Sequence, residues 1–449
     1  MRAAVSHGER DGSSLFWPDL VGNWPRPGSM SASSNTQKLL ERFGSSPVVG
    51  GAEGANASSL KVMQKIYSFP CSIVFRGKYM KNLGFGTLRL PLTDPDNVTS
   101  INQELLNRLV DEFMTAGYTY FETGWPYHSQ CAEDACRKAV VERYPRESFF
   151  LADKMPTYSI RTCSDYESIF TEQLRRCGVD YFDYYLFHNL GVERYDQCEE
   201  LGGFEFLRQK KEEGAVRHIG FSSHDTPEHL DNVLKEHPEV DVVQLQINYI
   251  DWENINIQSR RCYEVARNHN KPIIIMEPVK GGGLASVPKE AEELMRKIRP
   301  EASPASWALR FAAGLEGVFM VLSGMNSLEQ VRDNIRTFDD LTPLSLEEIT
   351  LLERVAEIIG MNTAVPCTAC RYCVEGCPQD IQIPALFSIY NDMMRYGDIN
   401  YPTVHYQHAV FGHGKAIDCI ECRKCEKSCP QHLPVSDLMK DIAARFDRG

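Results

Sequence analysis

The chain has 449 residues, 15 cysteines and a formal net charge of −13. That length exceeds one ordinary domain and suits a large barrel with additions. The acidic balance excludes a nucleic-acid footprint of clustered Lys and Arg, and no apolar run approaches the ~18 residues that a membrane helix needs.

Residues 1–79 are rich in Ser, Gly and Pro, with clusters such as Ser45-Ser46-Pro47 and Gly50-Gly51 and no sustained apolar periodicity. This is the composition of a disordered extension. It fits equally a non-native extension, with translation starting at Met80, because Arg76-Gly77 is encodable by a purine-rich stretch like a bacterial ribosome-binding site. Met80 to Thr87 then reads as a first strand.

From 80 to 343, short apolar runs alternate with amphipathic helical segments. The strand candidates are Asn82–Gly86, Tyr118–Thr123, Phe149–Met155, Tyr181–His188, His218–Ser222, Val240–Ile247, Pro272–Pro278 and Val318–Gly324. Several are continuous Val, Ile, Phe or Tyr runs, as strands buried on both faces of a parallel sheet require. Leu105, Leu109 and Phe113 repeat at helical spacing, and Thr226-Pro227-Glu228 reads as an N-cap with Pro at the first helical position. Eight such units predict an α/β fold, a (β/α)8 TIM barrel. A doubly wound open sheet is the runner-up, without a G-x-G-x-x-G after the first strand.

In a TIM barrel the active site lies at the C-terminal strand ends. Glu122 and Tyr127 follow the second strand, Lys154 ends the third and His188 ends the fourth. A carbonyl being reduced by hydride needs a proton donor. Tyr is a weak acid at a pKa near ~10, which a nearby ammonium lowers. A carboxylate then holds the Lys, and His orients the substrate oxygen. A strand buried on both faces should not carry an unpaired ammonium, so Lys154 is the least ordinary of the four.

A connecting helix at 344–361 opens with Ser345-Leu346-Glu347-Glu348, a cap signature. A second domain follows at 362–440. It holds two runs of the form C-x2-C-x2-C-x3-C-P: Cys367, Cys370, Cys373, Cys377 and Pro378, then Cys419, Cys422, Cys425, Cys429 and Pro430. The spacing is that of [4Fe–4S] ligand loops, in which the fourth cysteine of each run ligates the other cluster. Cys367, Cys370, Cys373 and Cys429 are therefore expected to hold one cluster, and Cys419, Cys422, Cys425 and Cys377 the second. The expected fold is a small α+β ferredoxin-like domain. Between the runs, Ile383 to Met394 reads as an apolar helix. His405, His408 and His413 read as surface-loop residues, with support of the cluster ligands as the alternative, and His128, His218 and His224 carry no assigned role. The seven remaining cysteines, Cys71 among them, read as reduced thiols, which with the clusters points to a reducing cytoplasm.

Tyr120 to His128 (YFETGWPYH), Phe149 to Lys154 (FFLADK), Tyr184 to His188 (YYLFH) and His218 to Ser223 (HIGFSS) resemble the aldo/keto reductases. The chain from about 80 to 440 resembles their bacterial branch with a C-terminal dicluster ferredoxin domain. The resemblance implies NADP or NAD held without a Rossmann fold, and reversible carbonyl/alcohol chemistry. It makes Tyr127 the acid/base, Lys154 its partner, His188 the substrate-orienting group and Glu122 the carboxylate. Ser222, Ser223 and Gln244 would contact the nicotinamide amide, with Met276 where many members place a stacking aromatic residue. Glu277 to Gly283, including Gly282, would loop over the pyrophosphate. Ser323, Gly324, Gln330 and Asn334 would receive the adenosine phosphate end. Glu122 stands where the family usually has Asp, Gln330 where NADPH-using members often have Arg, and Gly124 where Ala is common.

Two functions follow. One is an NAD(P)H-dependent reductase of a small carbonyl compound, or the reverse oxidation of an alcohol, with clusters that are structural or serve a redox partner protein. The other is a ferredoxin-like electron-transfer protein whose barrel is a flavin- or nicotinamide-binding platform. A hydride moves two electrons and a cluster one, so their exchange normally needs a flavin.

Overall fold

A computed structural model describes residues 73–75 and 78–447, apart from 96, 255–256, 362–363, 366, 368–370, 372, 375, 397–399 and 430. The extension expected over 1–79 lies outside the described residues up to 72, and so does Cys71. Ile73–Phe75 (β1) and Lys78–Met80 (β2) pair antiparallel, with Ile73 opposite Met80. Met80 thus ends a ladder strand instead of opening the first barrel strand.

The eight barrel strands are Leu83–Gly86 (β3), Tyr120–Glu122 (β4), Phe150–Pro156 (β5), Phe182–His188 (β6), Val216–Ser223 (β7), Val242–Gln246 (β8), Ile273–Met276 (β9) and Val318–Gly324 (β10). They close in the order β10-β3-β4-β5-β6-β7-β8-β9, every pair parallel. Each begins and ends within two residues of its apolar run. The (β/α)8 expectation holds and the open sheet falls.

Side chains alternate between the two faces of a strand. Tyr120, Ala152, Tyr184, Leu186, Val242, Ile274, Met320 and Leu322 fill the barrel interior. Their neighbours Phe121, Leu151, Tyr185, Phe187, Val243, Ile275 and Val321 pack outward against the helices. At Gly220 a Cβ would stand 2.4 Å from the Val242 carbonyl oxygen, so the β7–β8 approach requires glycine.

The helices start where the side chains cap them. Asn102 accepts from Leu105 N ahead of Gln103–Thr115. Thr226 accepts from His229 N ahead of Pro227–Glu236, the cap expected from Thr226-Pro227. Ser345 and Glu348 form the reciprocal cap of Leu346–Met361, Ser345 N donating to Glu348 Oε2 at 2.8 Å and Glu348 N to Ser345 Oγ at 3.2 Å. Beyond it, the described residues form helices Ile383–Tyr396, Asn400–Ala409, Lys424–Ser428 and Val435–Phe446, with one bridge between Ile381 and Gly414. They bury a core of their own that includes Leu386, Phe387, Tyr406, Met439 and Ile442.

Candidate active site

Because Tyr120, Ala152, Leu186 and Val242 face inward, residues two positions further face inward too. That rule puts Glu122, Lys154, His188 and Gln244 inside the C-terminal end of the barrel. Lys154 is 1 % exposed and Glu122 3 %. Lys154 Nζ donates to Glu122 Oε1 at 2.6 Å, to the Thr123 carbonyl oxygen at 3.0 Å and to Tyr127 Oη at 3.1 Å. Every proton of the ammonium is used, as a buried charge requires. Burial opposes the charge on Lys154, but Glu122 and Tyr127 outweigh it and hold the ammonium above its ordinary pKa.

The phenol differs from expectation. Burial pushes Tyr127 up, and although Lys154 pulls it down, the balance stays above the ordinary phenol value. Tyr127 is therefore a protonated acid at neutral pH. Its oxygen accepts from Lys154, so its own hydrogen points elsewhere.

His188 stands edge-on to Tyr127, ring centroids 5.8 Å apart at 88°, with Tyr158 on another side at 6.3 Å. Its pKa lies well below the usual imidazole value through burial and then the nearby Lys154, so the ring is neutral. Its Nδ1 is buried without a hydrogen-bond partner.

Gln244 does not stand at the strand end. Its Nε2 donates to both Glu122 oxygens, at 3.1 and 2.9 Å, and its Oε1 is buried without a partner. Gln246, two residues on and on the same strand face, ends β8 and donates to Asp251 Oδ2 at 2.8 Å. Period two alone would have pointed to it. Ser222 Oγ accepts from Asn189 N at 2.8 Å, Ser223 Oγ accepts from Asp225 N at 3.3 Å, and both serines are buried. Met276, half-buried, ends β9 in register with Gln246.

The orphaned Gln244 Oε1 fits a nicotinamide in this layer, since it would accept from a carboxamide NH2. The loop expected over the pyrophosphate turns through Gly281 (φ 66°) and Gly282 (φ 99°), and a Cβ on Gly282 would meet open space. The residues expected at the adenosine end are engaged locally. Asn334 Nδ2 donates to Ser323 Oγ at 2.9 Å, and Gln330 Oε1 accepts from Asn326 N at 2.8 Å. Gly324 packs against Arg89, whose guanidinium pairs with Glu277 at 3.0 Å.

Three histidines given no role by sequence also reach the barrel mouth. His224 follows β7, and His405 and His408 lie on the helix Asn400–Ala409, correcting their reading as loop residues. His413 instead pairs with Asp380 at 2.7 Å. Lys280, nothing more than a loop residue in the sequence, is buried between Asp251 and Asp392. Only the packing of the second domain on the barrel makes these residues neighbours.

The cysteines gather at two cavities. Cys377, Cys419, Cys422 and Cys425 line one, and Cys367, Cys373 and Cys429 line the other. Cys370 lies outside the described residues. Among the described residues no three His, Cys, Asp or Glu side chains converge on one metal ion. Thiols around a cavity wall suit a cluster's corners better than a single zinc ion.

The aldo/keto reductase family model matches residues 82–357, and the 4Fe-4S dicluster domain model matches 366–433. An aldo-keto reductase of Mycobacterium avium is 28 % identical over 253 residues, 56 % of this chain and 82 % of that protein. One from Mycolicibacterium smegmatis is 28 % identical over 160 residues, 36 % of this chain, which thus spans 52 % of that relative's length. Among solved structures, the holo form of aldo-keto reductase AKR11C1 from Bacillus halodurans has a TM-score of 0.51 at 22 % identity, covering 64 % of this chain and 95 % of that one. An aldo/keto reductase from Klebsiella pneumoniae in complex with NADP and acetate has a TM-score of 0.52 at 19 % identity, covering 64 % and 96 %. These structures share the fold. No helix among the described residues is long and apolar enough to cross a membrane. The barrel, its buried Lys154 pair and the matched 276-residue span 82–357 agree: this chain belongs to the aldo/keto reductase family, an NAD(P)-dependent oxidoreductase barrel followed by a 4Fe-4S dicluster domain.

Proposed function

We propose that the barrel reduces a small carbonyl compound to its alcohol, and that the carrying observation is Lys154 Nζ held between Glu122 and Tyr127 Oη. A reduced nicotinamide, when bound, would supply the hydride for such a reduction. Tyr127 gives its proton to the carbonyl oxygen, and Lys154, held by Glu122, stabilises the phenolate left behind. Neutral His188 lies beside the phenol and orients the carbonyl oxygen by a hydrogen bond. The proton-loaded Tyr127 suits reduction at neutral pH, and alcohol oxidation needs the phenolate. Gln244 Oε1, Ser222 and Ser223 receive the carboxamide, and Gly282 lets the loop approach the pyrophosphate. NADP or NAD both suit the site, since Gln330 brings no positive charge to a 2′-phosphate.

In the second domain, each cavity takes one [4Fe–4S] cluster, with Cys377 and Cys429 exchanged between the runs. Cys370 completes the set of Cys367, Cys373 and Cys429. The clusters serve a redox partner protein or brace the domain. None of the described cysteines outside the runs is in a disulfide, which supports a reducing cytoplasm.

The test is oxidation of NADPH and NADH by anaerobically purified protein with small aldehydes and ketones. Wild type turns over, and Tyr127→Phe loses about 10²–10⁴-fold in kcat with its iron unchanged. An inactive wild type with a flavin spectrum would point to the electron-transfer reading.

A further inference from the structure

The helix Asn400–Ala409 lies between the two cysteine runs in sequence, yet two of its side chains stand against the barrel mouth. Asn189, next to His188, places Nδ2 3.2 Å from His408 Nδ1 and 3.3 Å from its Nε2. The His224 ring, just past β7, packs edge-on against His405 and His408, both at 5.6 Å, and those two rings are 6.2 Å apart. His405 also shares a small cavity with Ser223, His224 and Gln246 at the ends of β7 and β8. Arg194 borders the cluster, donating to the Asn189 carbonyl oxygen at 3.1 Å and lying over the Phe411 ring at 5.0 Å.

We infer that the dicluster domain supplies a wall of the substrate chamber, in which His405 and His408 are specificity-determining residues that select a carbonyl compound bearing a second oxygen substituent, hydroxyl or carboxylate. The inference rests on the carbonyl-reductase reading of the same site.

The chemistry of the wall carries it. Burial lowers the pKa of His224, His405 and His408 alike, so all three rings are neutral. A neutral imidazole brings one donor and one acceptor. The Nδ1 atoms of His188 and His224 are both buried without a partner. An alkyl or phenyl tail would leave such atoms unpaired, which disfavours it. A hydroxyl satisfies a donor and an acceptor together, and a carboxylate also meets the Arg194 guanidinium. A wall of aliphatic side chains would select the opposite way. Sites that hydrogen-bond a substrate hydroxyl reject analogues lacking it far more strongly than apolar pockets reject an extra one.

The test compares propanal, glyceraldehyde and pyruvate as substrates of the full-length holoprotein with NADPH. Wild type is expected to favour glyceraldehyde, pyruvate or both over propanal by at least about 100-fold in kcat/KM. Glyceraldehyde alone identifies the hydroxyl as the recognised group, and pyruvate alone the carboxylate. His405→Leu and His408→Leu should collapse that ratio by about tenfold or more, through KM of the oxygenated substrate more than kcat. His405→Gln and His408→Gln should restore much of it. A wild type with no preference, or Leu variants with the ratio intact, overturns the inference while leaving carbonyl reduction standing. Failure of the underlying reading looks different: wild type binds NADPH but turns over none of the three. Should the Leu variants lose iron, carbethoxylation of wild type decides. Glyceraldehyde or pyruvate, and not propanal, should slow modification of His405 and His408, and equal modification in all cases overturns the assignment.

Discussion

Lys280 on the loop after β9 places its Nζ 3.2 Å from Oδ2 of Asp392, in the helix Ile383–Tyr396 of the second domain. The same ammonium is 2.7 Å from Asp251 Oδ1, and Lys280 is 1 % exposed. Burial holds the Asp392 carboxyl above its ordinary pKa, against the pull of Lys280. The loop assigned to the pyrophosphate and the dicluster domain therefore share one buried cation. Removing one partner of a buried pair costs about 3–5 kcal/mol, and less here because Asp251 stays. Asp392→Ala should speed hydrogen exchange across residues 277–285 and weaken nicotinamide binding by about tenfold, equivalent to about 1.4 kcal/mol. Unchanged exchange in that loop would show that the ion pair does not brace it.

The Glu122–Lys154 pair separates stability from chemistry. Glu122→Ala strands a buried ammonium and should lower stability by about 3–5 kcal/mol. Combining Glu122→Gln with Lys154→Met removes both charges, so thermal denaturation should show most of that loss recovered. Activity should not recover, because Tyr127 loses the cation that stabilises its phenolate. A fully active double variant would remove Lys154 from the mechanism.

Iron counting on paired cysteine variants distinguishes the two ways of sharing eight ligands. With Cys377 and Cys429 exchanged between runs, Cys377→Ala combined with Cys419→Ala damages one cluster and leaves about four irons per chain. Cys377→Ala combined with Cys367→Ala damages both and leaves about none. The opposite pattern would assign each cluster to its own run.

Acid should loosen the barrel mouth. Burial lowers His224 to about 4 and His408 to about 3, and His188 and His405 also lie well below the ordinary value. Lys154, Arg194, Lys280 and Arg89 face these rings and push the same way for one or more of them, whereas Glu277 opposes the shift at His224. The unfolded or undocked chain takes up protons first, near pH 6.5, so stability is full above that value and falls as the pH drops towards 4. Hydrogen-exchange protection in residues 400–409, corrected for the intrinsic pH dependence of exchange, should be lower at pH 5 than at pH 7.5, and should fall ahead of the barrel strands. Equal protection at both values would count against the buried histidine cluster.

Much of the architecture is legible in the sequence. Eight apolar runs at β/α spacing predicted the barrel because strands buried on both faces must be apolar along their whole length. Lys154 stood out for the same reason, as an ammonium where only a paired one survives. The spacing of the cysteine runs pointed to clusters because three thiols must wrap one cubane. Gln244 shows the limit within a single strand. It stands level with Ser222 and donates to Glu122, whereas Gln246, on the same face and at the end of β8, drew no reading at all.

What the sequence by itself determined was local: strand periodicity, helix caps, cysteine spacing and which side chains end the barrel strands. What only the tertiary structure decided was the company those residues keep. His224 and His405 are 181 positions apart in the chain, and Lys280 and Asp392 are 112 apart. No periodicity encodes such meetings, because they follow from how a second domain with its own core packs on the barrel. That packing also set the electrostatics. Burial, which no local pattern reports, kept Tyr127 protonated despite Lys154 and kept the histidines neutral.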